Sequence, residues 1–279
     1  MSKVAVIGIA GESVFLSIDE FGKIGETKTA KSIYRELGGK GFNQAVAVAR
    51  SGIACSCLCA VNEKDVHAFC KTAKSVGIKP FFVPKSEPSP YAVITTDKAG
   101  GNCVYVYRGA TLEEKDVDAF SDEIKSADLL LINNEVPAEV NERAISIAQE
   151  CGVKVVLNPA PVRSYSTDFL NKIDLFTPNQ HELEGLEGFS NVVMTLGERG
   201  CKIVSTGELI PAVKIGSVVD TTGAGDTFTG VLCAGLVCGM SLKDACLRAN
   251  VAAAIKVGRK YILESIPRKE EIDEFEREA

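Results

Sequence analysis

One stretch of the chain places an acid directly after a short glycine-rich turn, Gly223-Ala224-Gly225-Asp226. An apolar run follows it, so the turn is predicted to lead into a helix. Main-chain N–H groups at a helix start favour an anion, and the missing Cβ atoms let a phosphate approach closely. Asp226 can accept a proton from an attacking hydroxyl. The stretch therefore predicts phosphate chemistry; the alternative is a tight turn with a helix-capping acid.

A second glycine-rich stretch, Gly38-Gly39-Lys40-Gly41, precedes a helix that we predict to start near Asn43. It looks like a phosphate-binding loop but lacks the GKS or GKT ending. The backbone, Lys40 and Asn43 can instead meet the hydroxyl groups of a polyol. A glycine-rich helix entry with a solvated lysine is the alternative.

Together, in this order, the two stretches resemble the two signatures of the ribokinase family of sugar kinases, the PfkB-type kinases. The resemblance covers essentially the whole chain, including the interrupting hairpins and the helical C-terminal part. GGKGFNQAVA and the segment Asn158-Pro-Ala-Pro161 are most similar to the ribokinase branch of that family.

The resemblance assigns expected roles by position. It implies that Asp226 is the catalytic base and that main-chain amides around it form an anion hole for the transferred phosphoryl group. The implied catalytic positions are Gly223, Ala224, Gly225 and Asp226. The implied sugar contacts are Gly39, Lys40, Asn43 and Glu135. Glu135 could alternatively be a helix-capping acid.

ATP, magnesium and a monovalent cation such as potassium are the implied cofactors. Nucleotide contacts are implied at Asn179, Thr195, Gly197 and Asn250. Glu182 is implied to hold magnesium through water, and the monovalent-cation loop matches Asp220, Thr222 and Ser265. Glu182 could alternatively be a surface acid, and Asn250 a helix-packing amide.

The chain departs from the family pattern in two places. The family carries an Asn and an Asp after the first strand, which hold the sugar, whereas this chain has Gly11 and Ser13 there, with Glu12 between them. This departure puts ribose in doubt as the acceptor. In the cation loop, Tyr261 stands where a glycine is expected.

Short apolar strands alternate with amphipathic helices such as 137–150, and this order predicts a parallel sheet covered by helices on both faces. The predicted strands are 4–9, 54–61, 129–132, 154–157 and 175–177. The fold class is therefore α/β, doubly wound and mostly parallel, with an antiparallel edge after Val192 and helices from Asp226 to about Val257.

Segments 11–37 and 91–108 break this alternation. The second contains two alternating runs around Gly100 and Gly101, which indicates a hairpin. We predict that the two segments form a small β-rich lid on an α/β nucleotide-binding domain made of 1–10, 38–90 and 109–279. Edge hairpins are the alternative. An exposed lid edge invites pairing with another subunit, which suggests a homodimer.

Composition narrows the class of protein. The chain has 279 residues and a formal net charge of −6, so it lacks the basic balance that favours nucleic acid or anionic membranes. No apolar run approaches the roughly 20 residues of a membrane span, and we expect a cytoplasmic protein. The ten cysteines are expected to be reduced and mostly buried.

The leading hypothesis is ATP-dependent phosphorylation of a hydroxymethyl group of a small sugar. A nucleoside or another small alcohol is the alternative acceptor for the same chemistry. A catalytically silent paralogue that binds sugar or nucleotide is the alternative from another class.

Overall fold

The computed structural model describes residues 2–99 and 101–278. The strands in these residues are β1 Lys3–Ile7, β2 Gly11–Ser17, β3 Ser32–Gly38, β4 Ala54–Asn62, β5 Ile78–Lys85, β6 Tyr91–Thr96, β7 Asn102–Tyr107, β8 Leu129–Asn133, β9 Lys154–Asn158, β10 Leu175–Phe176, β11 Val193–Thr195, β12 Cys201–Ile203 and β13 Leu209–Ile210. The helices are α1 Lys40–Arg50, α2 Val66–Ser75, α3 Glu114–Ala119, α4 Ser121–Lys125, α5 Ala138–Glu150, α6 Thr167–Leu170, α7 Ala224–Val237, α8 Leu242–Val257 and α9 Lys269–Glu278.

The central sheet has six parallel strands in the order β10-β9-β8-β1-β4-β5. All five strands predicted for it are confirmed to within two residues at each end. The sixth, β5, is absent from the sequence interpretation. It contains Pro80 and Pro84, which lack the N–H group that a central strand needs, and it is an edge strand, where proline is tolerated.

Two apolar layers cover this sheet. Alternate residues of β4 point to opposite faces, so Cys55, Cys57 and Cys59 enter one layer whereas Leu58 and Ala60 enter the other. The first layer is closed by α1, α7 and α8, and the second by α3, α4 and α5. The shared face of the three cysteines and the doubly covered sheet are thereby confirmed.

A close crossing of α1 and α7 sets up the centre of the molecule. A Cβ atom at Gly230 would lie 2.6 Å from both the Cβ of Ala47 and the carbonyl oxygen of Gln44. Only glycine lets the helices approach so closely, and the crossing brings the first turns of both helices to the same end of the sheet. The α1 helix begins at Lys40, three residues before the predicted start.

A second sheet is built from the two segments that interrupt the alternation. Its order is β3-β2-β6-β7; β2 and β6 are parallel, and the two outer pairs are antiparallel. We call this sheet the lid. The predicted β6–β7 hairpin is confirmed, although Gly100 at its turn lies outside the described residues. The exact division of the chain into lid and main domain stays a prediction.

The C-terminal part completes the first layer. The antiparallel sheet β11-β12-β13 and the long helices α7 and α8 follow the predicted pattern. Cys151 and Cys238 are exposed, contrary to the expectation that such scattered cysteines are buried, because both end a helix at the surface. No helix within residues 2–99 and 101–278 is long and apolar enough to cross a membrane.

Candidate active site

The glycine-rich turn before α7 contains two glycines with different roles. Gly223 caps the helix in the left-handed conformation, with φ 77°, and a Cβ there would lie 2.7 Å from the Cγ2 of Ile262. Gly223 is therefore required by the fold. Gly225 has nothing within 4 Å of its Cβ position, so it borders open space in front of the helix start.

Two main-chain amides face that space without a protein acceptor. The N–H of Ala224 already donates to the carbonyl of Thr221 at 3.2 Å. In the described chain, the hydrogen-bonded turn leaves the amides of Gly225 and Asp226 as free donors at the start of α7. Of the amides of Ala224, Gly225 and Asp226, which the resemblance implies for an anion hole, the first is therefore used by the turn itself.

Three side chains of α1 hold the carboxylate of Asp226, which is 7% exposed. Asn43 Nδ2 donates to Oδ2 at 3.0 Å, and Gln44 Nε2 and Lys40 Nζ lie 3.3 and 3.4 Å from Oδ1. The structure thus unites Asp226 with the predicted Lys40 and Asn43. Sequence interpretation missed Gln44, although its i+4 spacing from Lys40 places both on one helix face.

Lys40 connects this carboxylate with a second one. Its main-chain N–H donates to Glu135 Oε2 at 3.2 Å, while its ammonium group contacts Asp226. Burial raises the pKa of Glu135 to about 7, against the opposing charge of Lys40. The Oδ1 atom of Asn43 is buried and has no hydrogen-bond partner in the described structure, so it can accept a bond from a ligand hydroxyl.

Two cavities border these residues on either side. The first, of about 220 Å³, is lined by Glu135 together with Arg108, Thr111 and Arg163. The second, of about 210 Å³, is lined by Lys40, Asp226 and Gly225. Each is smaller than a typical drug-sized pocket of roughly 300–1,000 Å³, which suits small polar groups such as a sugar and a phosphate chain.

The second cavity also collects three predicted nucleotide and magnesium residues: Asn179, Glu182 and Thr195. The Glu182 carboxylate accepts bonds from the main chain and the Nδ2 of Asn179, at 3.0 and 2.8 Å. These bonds leave lone pairs on both carboxylate oxygens. Because magnesium prefers oxygen ligands and retains water, Glu182 fits a water-mediated contact with it.

Several other predicted residues do not line these cavities, including Asn43, which contacts Asp226 from behind, and Gly39, Gly197 and Asn250. A Cβ at Gly39, which has φ 98°, would lie 2.7 Å from the carbonyl oxygen of Ile9, so close backbone packing accounts for this glycine. Gly197 is exposed at φ 59°. Asn250 is buried, and its Nδ2 donates to the carbonyls of Ile210 and Pro211 at 3.3 and 3.1 Å. That matches the packing alternative for Asn250.

The altered N-terminal stretch forms the start of β2. Ser13 is 5% exposed, and the side chains of Ser13 and Asn43 both lie within 4 Å of the Cβ position of Gly38, on the side facing α1. Glu12 points the other way and pairs with Arg35 at 3.2 Å. Because neighbouring strand residues face opposite sides, Glu12 does not replace the acid that the family has at Ser13.

The predicted cation loop holds a lysine. The Asp220 carboxylate accepts the N–H groups of Thr222 and Tyr261 at 2.9 and 3.0 Å, and the Nζ of Lys256 donates to the Asp220 carbonyl at 2.7 Å. Ser265 Oγ donates to the carbonyls of Tyr261 and Ile262. The ammonium group of Lys256 places a positive charge at this loop, and that charge disfavours a second cation there.

Tyr261 keeps the backbone of the glycine it replaces. Its φ of 66° is left-handed, a conformation that glycine adopts at little cost. The ring stacks on Tyr34 of the lid at 3.7 Å between centroids and meets Phe15 edge-on at 5.2 Å. Aromatic packing accordingly offsets the cost of the left-handed backbone at Tyr261.

Comparison with known proteins agrees with this geometry. Residues 1–269 match the pfkB family of carbohydrate kinases. The chain is 32% identical to the ribokinase of Haemophilus influenzae, over 98% of this chain and 97% of that protein. It is 33% identical to a bifunctional ribokinase/ribose-5-phosphate isomerase A of Fructilactobacillus sanfranciscensis, again over 98% of this chain but 56% of that longer protein. A deoxyribokinase of Salmonella typhi is 30% identical, with 98% of each chain covered.

Solved structures show the same fold. Ribokinase from Thermotoga maritima superimposes with a TM-score of 0.88 at 29% identity, covering 99% of this chain and 100% of that one. Arabidopsis thaliana ribokinase, solved with ribose and ATP, gives 0.84 at 25% identity and 98% coverage of both chains. A nucleoside kinase of Methanocaldococcus jannaschii, at 21% identity, shares the fold with a TM-score of 0.84 over 100% of this chain and 99% of that one.

Proposed function

The chain belongs to the pfkB family of carbohydrate kinases, and on this premise we propose that it transfers the γ-phosphoryl group of ATP to a hydroxymethyl group of a pentose-like sugar. The observation that carries the proposal is the link through Lys40. This residue contacts Glu135 beside one cavity and Asp226 beside the other, so an acceptor and a phosphate chain can meet at Asp226.

The reaction needs a base because a primary alcohol is far too weakly acidic to ionise at neutral pH. Asp226 takes the hydroxyl proton on a carboxylate oxygen as the alcohol oxygen bonds to the γ-phosphorus. The bond between that phosphorus and the bridging oxygen breaks, and ADP leaves with the electron pair. Asn43 and Gln44 hold the carboxylate in place during the transfer.

Charge on the transferred group is met by fixed donors. The N–H groups of Gly225 and Asp226 and the ammonium of Lys40 border the second cavity and can stabilise the equatorial oxygens. Magnesium, when bound with ATP, neutralises phosphate charge, and Glu182 and Asn179 are the residues we assign to its water shell and to the phosphates.

The side of the site that we assign to the acceptor favours a small polyol. It offers one charged contact fewer than the family pattern does. Glu135 and Asn43 Oδ1 supply acceptors for hydroxyl groups, while Ser13 replaces a charged partner. An unmet contact to a charged group costs roughly 1–3 kcal/mol, or about 5–150-fold in affinity. We therefore propose that a 2-deoxypentose is accepted at least as well as ribose.

The test is ADP release with MgATP across a panel of ribose, 2-deoxyribose, other pentoses, hexoses and nucleosides. The proposal expects the highest kcat/KM with a pentose or deoxypentose. A nucleoside that exceeds every free sugar would move the assignment to nucleoside phosphorylation. Absence of turnover with the whole panel, from protein that binds nucleotide, would support the silent paralogue instead.

We also propose that two subunits associate through the lid. The edge strand β7 exposes apolar side chains along its length: Val104 at 49%, Tyr105 at 68%, Val106 at 59% and Tyr107 at 54%. Exposed apolar edges of this kind pair with other chains. Sedimentation of the native protein and of Val106→Lys would test the association, since the introduced charge should leave a monomer.

The cysteines support a reducing location such as the cytoplasm. All ten are free thiols, and the buried Sγ atoms of Cys57 and Cys59 lie only 3.5 Å apart. Disulfides form and persist in oxidising compartments. We accordingly propose that the enzyme works where thiols stay reduced; fluorescent fusion and cell fractionation would check this.

A further inference from the structure

A cation is fully buried at the C-terminal end of α8. Lys256 is 0% exposed, and its Nζ donates to the main-chain carbonyl of Asp220 at 2.7 Å. Removing an ammonium group from water is costly unless local dipoles and charges replace its hydration. The bonded partner here is a carbonyl dipole, the kind of group that also binds alkali cations. The position of this lysine therefore calls for a specific explanation.

Two acids surround the ammonium group. Each carboxylate accepts two main-chain N–H bonds: Glu36 accepts both from the loop after α8, whereas Asp220 accepts one from Tyr261 in that loop and one from Thr222 in the turn before α7. Burial keeps the pKa of Lys256 below its ordinary value, while the charges of Asp220, Glu36 and Asp226 oppose that shift. The acidic groups and the Asp220 carbonyl thus offset part of the cost of burying this positive charge.

The cluster supports the turn that carries the phosphate-binding amides. The N–H groups of Val219 and Asp220 both donate to the carbonyl of Val257, next to Lys256. Asp220 then holds the N–H of Thr222, the residue directly before Gly223. The bonds from Lys256 and Asp220 accordingly fix the main chain immediately before the helix start of α7.

We propose that the ammonium group of Lys256 is an internal monovalent cation, which holds the turn before Gly223 in place of an exchangeable potassium ion. Lys256 is then a positioning residue that acts through the amides of Gly225 and Asp226. The inference rests on phosphoryl transfer at this turn, as proposed above.

Like-charge repulsion and the covalent attachment of the ammonium group to the chain both favour a side-chain cation over a free ion. A potassium ion placed beside Nζ would be repelled by the like charge of the ammonium group. A side-chain cation is always present, so activity should not depend on the salt supplied. The dependence of activity on the monovalent salt should therefore differ from that of a kinase with an exchangeable cation.

The first measurement uses the native enzyme in potassium chloride and in tetramethylammonium chloride at matched ionic strength. We expect kcat/KM for the best acceptor to agree within about twofold, whereas loss of a useful cation is expected to cost about tenfold or more. Several-fold activation by potassium would overturn the proposal without the need for any variant.

The second measurement compares two variants. Lys256→Ala removes the charge and leaves room, so its rate should fall by about tenfold or more in tetramethylammonium and recover at least in part with potassium or ammonium ions. Lys256→Met removes the charge but fills the space, and should stay slow in every salt. The control is Lys85→Ala, which loses a partly buried lysine that pairs with Asp116 and should gain no potassium dependence.

A third measurement needs no turnover. Potassium should raise the thermal unfolding midpoint of Lys256→Ala and tighten its MgADP binding, relative to tetramethylammonium, and should do neither for the native protein. If the sugar panel gave no activity, the proposed function would fail while this readout still decided the role of Lys256. A folded Lys256→Ala protein that no monovalent cation stabilises or reactivates would show that the ammonium does not act as an internal cation.

Discussion

Main-chain amides of one turn contribute to the proposed phosphate end of the site, whereas the proposed sugar end consists of side chains from distant elements. At the phosphate end, a turn capped by Gly223 presents the N–H groups of Gly225 and Asp226. At the sugar end, Ser13, Asn43 and Glu135 come from β2, α1 and the loop after β8. Main-chain donors suit any phosphate, so the difference indicates that chemistry is constrained at one end and that acceptor choice can vary at the other.

Replacing the base should produce the largest loss at the phosphate end. Asp226→Asn keeps size and one acceptor oxygen but cannot take the proton, so we expect kcat to fall by roughly 10²–10⁴-fold. Nucleotide affinity and the unfolding midpoint should stay near those of the native protein. Steady-state kinetics with calorimetric ADP titration would measure both.

Asp244→Asn is a matched control, because Asp244 is also the third residue of its helix and lies at the surface. It should retain native turnover. An Asp226→Asn enzyme with more than about a tenth of native kcat would remove Asp226 from the role of base.

Filling the space in front of the α7 helix start should impair the use of ATP while leaving sugar binding nearly unchanged. Gly225→Val adds a side chain where the structure has open space, so the protein should fold while the phosphate is excluded. We expect at least about 100-fold lower kcat/KM for ATP, with sugar affinity changed by less than about threefold. Calorimetric titration with the sugar measures its affinity for the variant.

Gly216→Val is the comparison variant, since Gly216 also has nothing within 4 Å of its Cβ position but lies in a loop away from the cavities. Normal turnover of Gly225→Val would show that the helix start does not bind phosphate.

The sugar end should respond to pH through Glu135, whose pKa is raised to about 7 by burial. The ionised carboxylate accepts sugar hydroxyls more strongly, so KM for the sugar should fall by up to about tenfold as pH rises from 6 to 8. Glu135→Gln should abolish this slope, and KM for ATP serves as the internal control. A slope that persists in Glu135→Gln would assign the titration to another group.

The raised pKa of Glu135 also predicts that the folded protein loses stability as pH rises, over the range in which sugar binding improves. Its folded-state pKa of about 7 exceeds the ordinary 4.5, so the folded protein holds an extra proton between these values. Stability should therefore decrease as pH rises through this range, by up to about 3 kcal/mol from this group. Chemical denaturation of the native protein and Glu135→Gln at several pH values would isolate that contribution.

The smallest expected effect concerns acceptor preference. Ser13→Asp should restore a charged partner beside Asn43 and raise kcat/KM for ribose relative to 2-deoxyribose by about fivefold or more. Glu12→Gln, on the opposite face of β2, should leave the preference unchanged. A native enzyme that strongly prefers ribose, with no gain in Ser13→Asp, would contradict the importance of the Ser13 side chain.

Local patterns predicted much of this architecture because they follow from short-range rules. The strands of the central sheet are short and mostly apolar, and the turn at Gly223 requires a left-handed residue next to a helix. Sequence patterns did not predict features that depend on residues far away along the chain. β5 contains prolines that only an edge position tolerates, and Asn250 is held by the carbonyls of β13.

The sequence alone determined which residues can do phosphate chemistry: a glycine turn, an acid at a helix start and a lysine-bearing loop are all local in the chain. Only the tertiary structure decided which of their groups are free to act. The Ala224 amide is used by its own turn, Asp226 is bonded by Gln44, and the cation loop contains Lys256. Hydrogen bonds and buried charges depend on partners as far as 182 residues away along the chain in the case of Gln44 and Asp226, and 227 in the case of Glu36 and Leu263, so no local pattern records them.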